Sequence, residues 1–253
     1  MKKLIYILFL PSLFFISSCD KESIYGCLNS QACNYNLEAT IDDNSCEYAL
    51  EGFDCNDEIG CTDSLACNFN SEAIPDSNSC EYAIQGYDCD GNEVFQIGDQ
   101  YSGGIVFYVD ETGQHGLVAA MEDLDETYEW GCLGINVNGA DETSIGTGYQ
   151  NTIDIVNQGC LSYDGDITAA LATLDAEING YSDWYLPSKY ELEEMYKTIG
   201  QGGPEGNIGG FEDSYWSSSE GDSDDAWFVY FDHGNTRLRP KPNSFRVRVI
   251  RTF

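Results

Sequence analysis

The stretch RLRPKPN places Arg237, Arg239 and Lys241 at alternate positions, and no acid follows Asp232 in the chain. Such a run can do anion chemistry. A guanidinium offers paired N–H donors to sulfate or carboxylate, and an ammonium adds a compact charge. Trp227, Tyr230, His233, Asn235 and Asn243 lie nearby, adding aromatic contact area and amide or imidazole donors. Together these eight residues make a candidate binding face, residues 227–245, for an anionic or hydroxyl-rich ligand. Sulfated and uronic-acid polysaccharides head that class. The run stands against the trend of the chain, which has 11 Lys+Arg, 44 Asp+Glu and a net charge of -33 over 253 residues.

The elements that must carry this face are legible around it. Ala226–Asp232 reads as a strand, His233-Gly234-Asn235 as a turn, and Phe245–Arg251 as a second strand. Pro240 and Pro242 remove backbone donors, so the segment between should run as an exposed loop or sheet edge with its cations projecting outward. In the last strand, Phe245, Val247 and Val249 alternate with Arg246 and Arg248, which places those two arginines on the outer face, paired with acids. Farther back, Gly104–Val109 and Gly116–Ala120 read as a hairpin around Glu111–Gln114. Ile167, Ala170, Leu171, Leu174 and Ile178 repeat at helical spacing between a cap at Asp166 and a stop at Gly180. Ser188 and Glu191 form a capping box that opens a second helix through Leu192, Met195, Tyr196 and Ile199. The fold class is α+β, and residues 97–253 are long enough for one domain with a core.

The charge argues against nucleic acid as a partner. Two histidines, His115 and His233, each in a turn, give no spacing for a metal site or triad. No catalytic residue is assigned, and the protein reads as a non-enzyme.

The N-terminus sorts the chain by compartment. Lys2 and Lys3 precede an apolar run, Leu4–Ile16, that is shorter than the roughly 20 residues a membrane span needs, so residues 1–18 read as a cleaved export signal. Residues 26–59 and 60–93 then repeat one unit. Cys27, Cys33, Cys46 and Cys55 recur 34 positions later as Cys61, Cys67, Cys80 and Cys89, with 19 of 30 aligned residues identical. Each unit lacks the aliphatic content for a core, so two disulfides per unit are expected, in any of three connectivities. Cys132 and Cys160 remain for a fifth bridge. Asp42, Asp43, Asp88 and Asp90 offer oxygen ligands of the kind calcium takes, or serve as solvated turn residues; no other cofactor is indicated.

Several stretches carry resemblances. Ile16-Ser17-Ser18-Cys19 resembles the lipobox of bacterial lipoproteins. That implies acylation of Cys19, a membrane anchor through lipid, and residues 19–25 as the linker. Asp20-Lys21-Glu22 resembles the short tag that sends some lipoproteins to the cell surface, so an outer-membrane lipoprotein is expected. The repeats resemble tandem Cys-rich modules of pattern GCTDxxACNYN found in exported bacterial proteins, usually as spacers. GDQYSGGIVFYVDETGQHGLVAA, GYSDWYLPSKYELEEMY and the stretch from Tyr215 to Phe253 are similar to the C-terminal domain of the collagen-like adhesin family. They are also similar to the formylglycine-generating-enzyme-type branch of the C-type lectin fold. The resemblance implies a C-type-lectin-like head over residues 97–253 and a ligand-displaying face, as in adhesins and in retroelement-diversified variable receptors. The expected function is adhesion or recognition of an anionic glycan through residues 227–245. A protein-binding receptor with a variable loop, and a structural envelope protein without a specific ligand, are the alternatives.

Overall fold

The structure, a computed structural model, describes residues 22–49, 55, 58–76 and 78–253. The export signal and Cys19 lie outside the described residues. The chain divides into two compact units that part between Tyr82 and Ala83.

The first unit shows why the repeats need cysteine. Strands β1 (Tyr25–Gly26) and β2 (Ile41–Asp42) pair in parallel, as do β3 (Glu58–Gly60) and β4 (Ala73–Asp76). Pairings of two to four residues bury almost nothing, and among the described residues of this unit the buried apolar groups are few: Cys27, Ala32, Cys61, Ala66 and Ala73. Cys27–Cys46, Cys33–Cys55 and Cys61–Cys80 are bonded, which selects one of the three connectivities; Cys67, and Cys89 of the second unit, are also disulfide-bonded. The conserved spacing inside the repeat has a second cause. Asn34 donates to Ser45 O at 2.6 Å and accepts from Glu47 N at 2.9 Å; Asn68 does the same to Ser79 O and Glu81 N at 2.7 and 2.9 Å. These side chains substitute for a strand where none is long enough to form.

The second unit holds three sheets. A four-stranded one has the order β13-β7-β6-β5, built from β5 (Gln100–Tyr101), β6 (Gly104–Val109), β7 (Gly116–Ala120) and β13 (Ile250–Thr252). A short pair joins β8 (Tyr128–Glu129) to β12 (Ser244–Phe245). A three-stranded sheet, ordered β11-β10-β9, comprises β9 (Ser214–Glu220), β10 (Asp225–Tyr230) and β11 (Asn235–Pro240). Three helices lie between: α1 (Gly148–Gln158), α2 (Ala169–Leu174) and α3 (Lys189–Thr198).

Strand alternation distributes side chains to two cores. Val106, Val118, Trp216 and Phe228 enter one cluster with Trp130 and Trp184; Ile105, Phe107, Leu117, Tyr215, Val229 and Phe231 enter the other with Leu192 and Met195 of α3. Strands β6, β7, β9 and β10 are therefore packed on both faces, which is why β6 reads as an unbroken apolar run, whereas edge strand β11 keeps exposed residues. Trp130, Trp184 and Trp216 are fully buried, each with its indole N–H donating to a backbone carbonyl at 2.9–3.0 Å. Each removes roughly 150–250 Å² from water.

The expected hairpin at 104–120 and the Ser188 capping box are present, the latter with both of its hydrogen bonds. The first expected helix is shorter than its periodicity suggests: α2 begins after Thr168, not Asp166, and Ile167 is exposed. Helix α1 was not expected. Gly148 permits it, because a Cβ there would lie 2.2 Å from Glu191 Oε2 and 2.8 Å from Ser188 N. The last strand is also corrected. It divides into β12 and β13, with residues 246–249 held between the two cores instead of along a sheet surface. Cys132 and Cys160 are bonded as expected.

Candidate ligand-binding face

The β10–β11 hairpin places the candidate residues, and its register decides which of them can act together. Directly opposed residues in an antiparallel pair share a face. Tyr230 opposes Asn235, Phe228 opposes Arg237, and Ala226 opposes Arg239; between them Trp227 opposes Leu238 and Val229 opposes Thr236. The pleat thus splits the set. Tyr230, Asn235, Arg237 and Arg239 lie on one side of the hairpin, and Trp227 lies on the other.

On the first side, Arg239 Nη2 donates to Tyr230 Oη at 3.1 Å, and its guanidinium sits 5.3 Å from the centre of the Phe228 ring. Phe228 stacks on Phe245 at 4.7 Å and 7°, and His233 stacks on Tyr230 at 5.1 Å and 24°. Arg237 is exposed, and its side chain forms no ion pair or hydrogen bond with another described residue. Asn235 and Asn243 are exposed at the two ends of the segment. Strand β11 is the edge of its sheet, as the prolines require.

On the second side, Trp227 packs beneath the start of α3. The Lys189 ammonium lies 4.1 Å from the Trp227 ring centre and 5.0 Å from that of Tyr190. Trp227 therefore supports a helix and does not extend the cationic surface.

Lys241 overturns its sequence expectation. It is fully buried, with Nζ 2.6 Å from Glu220 Oε1. The physical reason lies in distant sequence. Glu220 and the carbonyls of Cys132, Ile135 and Ser223 converge on one point and saturate the ammonium. Arg248 is likewise not an outer-face residue: it is 2% exposed and pairs with Asp123. Arg246 reaches Asp123 and Glu212, and Arg251 makes a two-pronged pair with Asp183 at 2.7 and 2.9 Å. Of the six terminal cations, four are thus neutralised by acids from far upstream. The face contracts to Arg237 and Arg239 with Tyr230, His233 and Asn235.

The calcium candidates are engaged in turns. Asp42 and Asp43 accept from Asn44 N and Ser45 N at 3.1 and 3.0 Å. Asp88 accepts from Asp90 N, Asn92 N and Gln114 Nε2, and hydrogen bonds from Asn92 hold its carboxyl below the usual range. Among the described residues no three His, Cys, Asp or Glu side chains gather as a metal would need. No described helix is long and apolar enough to cross a membrane.

A search of curated proteins finds no match to the chain. Among solved structures it is similar to a fimbrial protein from Bacteroides ovatus ATCC 8483, with 17% identity and a TM-score of 0.37. That match covers 67% of this chain and 49% of the other, so the chain spans about half of that structure's length. At this level the likeness bears on neither fold nor function. Part of the second unit, from the disulfide loop through α1–α3 and the hairpin to β13, has a family likeness: residues 133–251 match the family model of the Lcl C-terminal domain, the terminal domain of a collagen-like adhesin family.

Proposed function

We propose that the protein is a surface adhesin, anchored through lipid on Cys19, whose C-type-lectin-like second unit binds an anionic glycan along the edge strand β11, through Arg237 and Arg239. The observation that carries the reading is Arg237. In a chain with four acids for every base, its side chain is exposed and unpaired among the described residues, two residues from a guanidinium already oriented by Tyr230. A cation left free amid such an acid surplus is available to a ligand. Arg239 supplies a second, less mobile fork, and the Tyr230–His233 stack gives a sugar ring an apolar surface beside it. The match to the Lcl C-terminal domain supports an extracellular binding role.

The test is binding of the purified protein to neutral, carboxylated and sulfated polysaccharides. Binding confined to the anionic members, and lost in Arg237→Ser/Arg239→Ser, supports the reading. Equal binding to neutral members, or none to any, removes the anionic-glycan ligand and leaves a protein partner as the next candidate.

A further inference from the structure

We propose that Lys241, a cation the sequence aligns with Arg237 and Arg239, is the positioning residue of the binding hairpin and never touches ligand; this rests on the function proposed above. Its Nζ reaches Glu220 Oε1 at 2.6 Å, Ile135 O at 2.9 Å, Ser223 O at 3.0 Å and Cys132 O at 3.4 Å, and lies 4.8 Å from the Trp130 ring centre. An ammonium has three N–H donors, so four acceptors leave it nothing to offer a ligand.

What these partners have in common is location. Ser223 enters β10, Lys241 leaves β11, and Glu220 ends β9. Cys132 and Ile135 belong to the loop that Cys132–Cys160 ties to the segment just after α1. Backbone bonds close the same knot: Lys241 N donates to Asp224 O at 2.9 Å, Trp130 N to Lys241 O at 3.0 Å, and Gly134 N to Ser223 O at 2.9 Å. Both Glu220 oxygens also accept from Val137 N at 3.0 Å. One buried side chain thus joins both feet of the hairpin to a disulfide-bonded loop. Arg239 stands two residues away. A buried ion pair adds little net stability over an apolar substitute of the same shape, but it fixes geometry through directed bonds. Here the geometry fixed is that of an edge hairpin with a neighbour strand on one side only.

The experiment uses the full chain, heparin as the probe at several salt concentrations, and hydrogen exchange of the backbone amides of residues 225–240 against those of β6 and β7. Lys241→Arg keeps the charge but places a planar fork where four acceptors surround a point. Lys241→Met with Glu220→Gln removes both charges and leaves Val137 an acceptor. We expect both variants to bind heparin about tenfold more weakly, with the salt dependence of the wild-type protein. We also expect faster exchange in residues 225–240 and unchanged exchange in β6 and β7. Undiminished binding by Lys241→Arg, or a shallower salt dependence in the neutral pair, would mean that Lys241 meets ligand and overturns the proposal. Unchanged exchange in residues 225–240 overturns it as well. If the wild-type protein does not bind heparin, the glycan reading fails, and the exchange pattern alone decides whether the clamp exists.

Discussion

Arg248 and Asp123 lie 125 residues apart in sequence and meet through a 2.7 Å bond from Nε to Oδ1, with the arginine 2% exposed. The same guanidinium donates to Ala120 O and Gly209 O at 3.1 and 2.8 Å and lies 4.3 Å from the Phe211 ring centre. The closing segment of the chain is thereby fixed to the end of β7 and to the loop before β9.

Arg248→Met should therefore be far more costly than its neighbour's replacement. Removing one member of a buried pair leaves the other uncompensated, at about 3–5 kcal/mol. Because Arg246 still reaches Asp123 at 3.3 Å, the lower end, about 3 kcal/mol, is expected. Arg246→Met, with its side chain 39% exposed, should cost under about 1 kcal/mol. Urea unfolding of the two variants measures the contrast, and equal losses would contradict it.

The Cys132–Cys160 bridge closes a separation of 28 residues. Cys132→Ala/Cys160→Ala should lower stability by about 3–4 kcal/mol through the larger unfolded ensemble. Since Cys132 O is one of the Lys241 acceptors, the same variant should also weaken binding at the hairpin. Thermal unfolding together with a heparin titration checks both effects.

These two cases mark the limit of what the sequence makes legible. Local signals were sufficient for the 104–120 hairpin, the Ser188–Glu191 cap and the existence of a bridge between the two leftover cysteines, because each depends on neighbours within a few positions or on exclusion. Helix α1 escaped notice because Gly148 opens it and polar residues fill much of its length, so its stability comes from tertiary contact through Asn151, Thr152 and Ile155. Lys241 and Arg248 misled for a related reason. Proline placement put β11 at a sheet edge as observed, but alternation carried the last strand through residues 246–249, which join no strand, and the burial of each cation was determined by Glu220, Asp123 and carbonyls remote in sequence. The split of Trp227 from Arg237 follows from hairpin register, which no single strand reveals.

Glu191 gives a pH test. It is buried, and burial holds its carboxyl above the ordinary range against hydrogen bonds from Ser188 and Gly146. The native state therefore retains this proton to higher pH than the unfolded chain does. Raising the pH from the unfolded value of 4.5 through the native one releases the proton at a cost to stability. Glu191→Gln does not titrate, so the stability of the wild-type protein relative to this variant should fall as pH rises across that window. A difference that stays flat, or grows with pH, would contradict the assignment.

Trp227 separates the two sides of the hairpin. Trp227→Ala should lose the Lys189 contact, worth about 0.5–1 kcal/mol, along with buried apolar area. Its affinity for an anionic glycan should stay within about twofold of the wild-type protein. A loss comparable to that of Arg237→Ser would place Trp227 in the ligand site against the observed register.

The most direct measurement is the salt dependence of heparin binding by the wild-type protein and by Arg237→Ser/Arg239→Ser. If these two guanidiniums are the ligand's contacts, the wild-type affinity falls steeply as salt rises, and the variant binds weakly with a slope shallower by about two counterions. Equal affinities and equal slopes would contradict the account, because the only cations left to carry the binding would then lie elsewhere on the molecule.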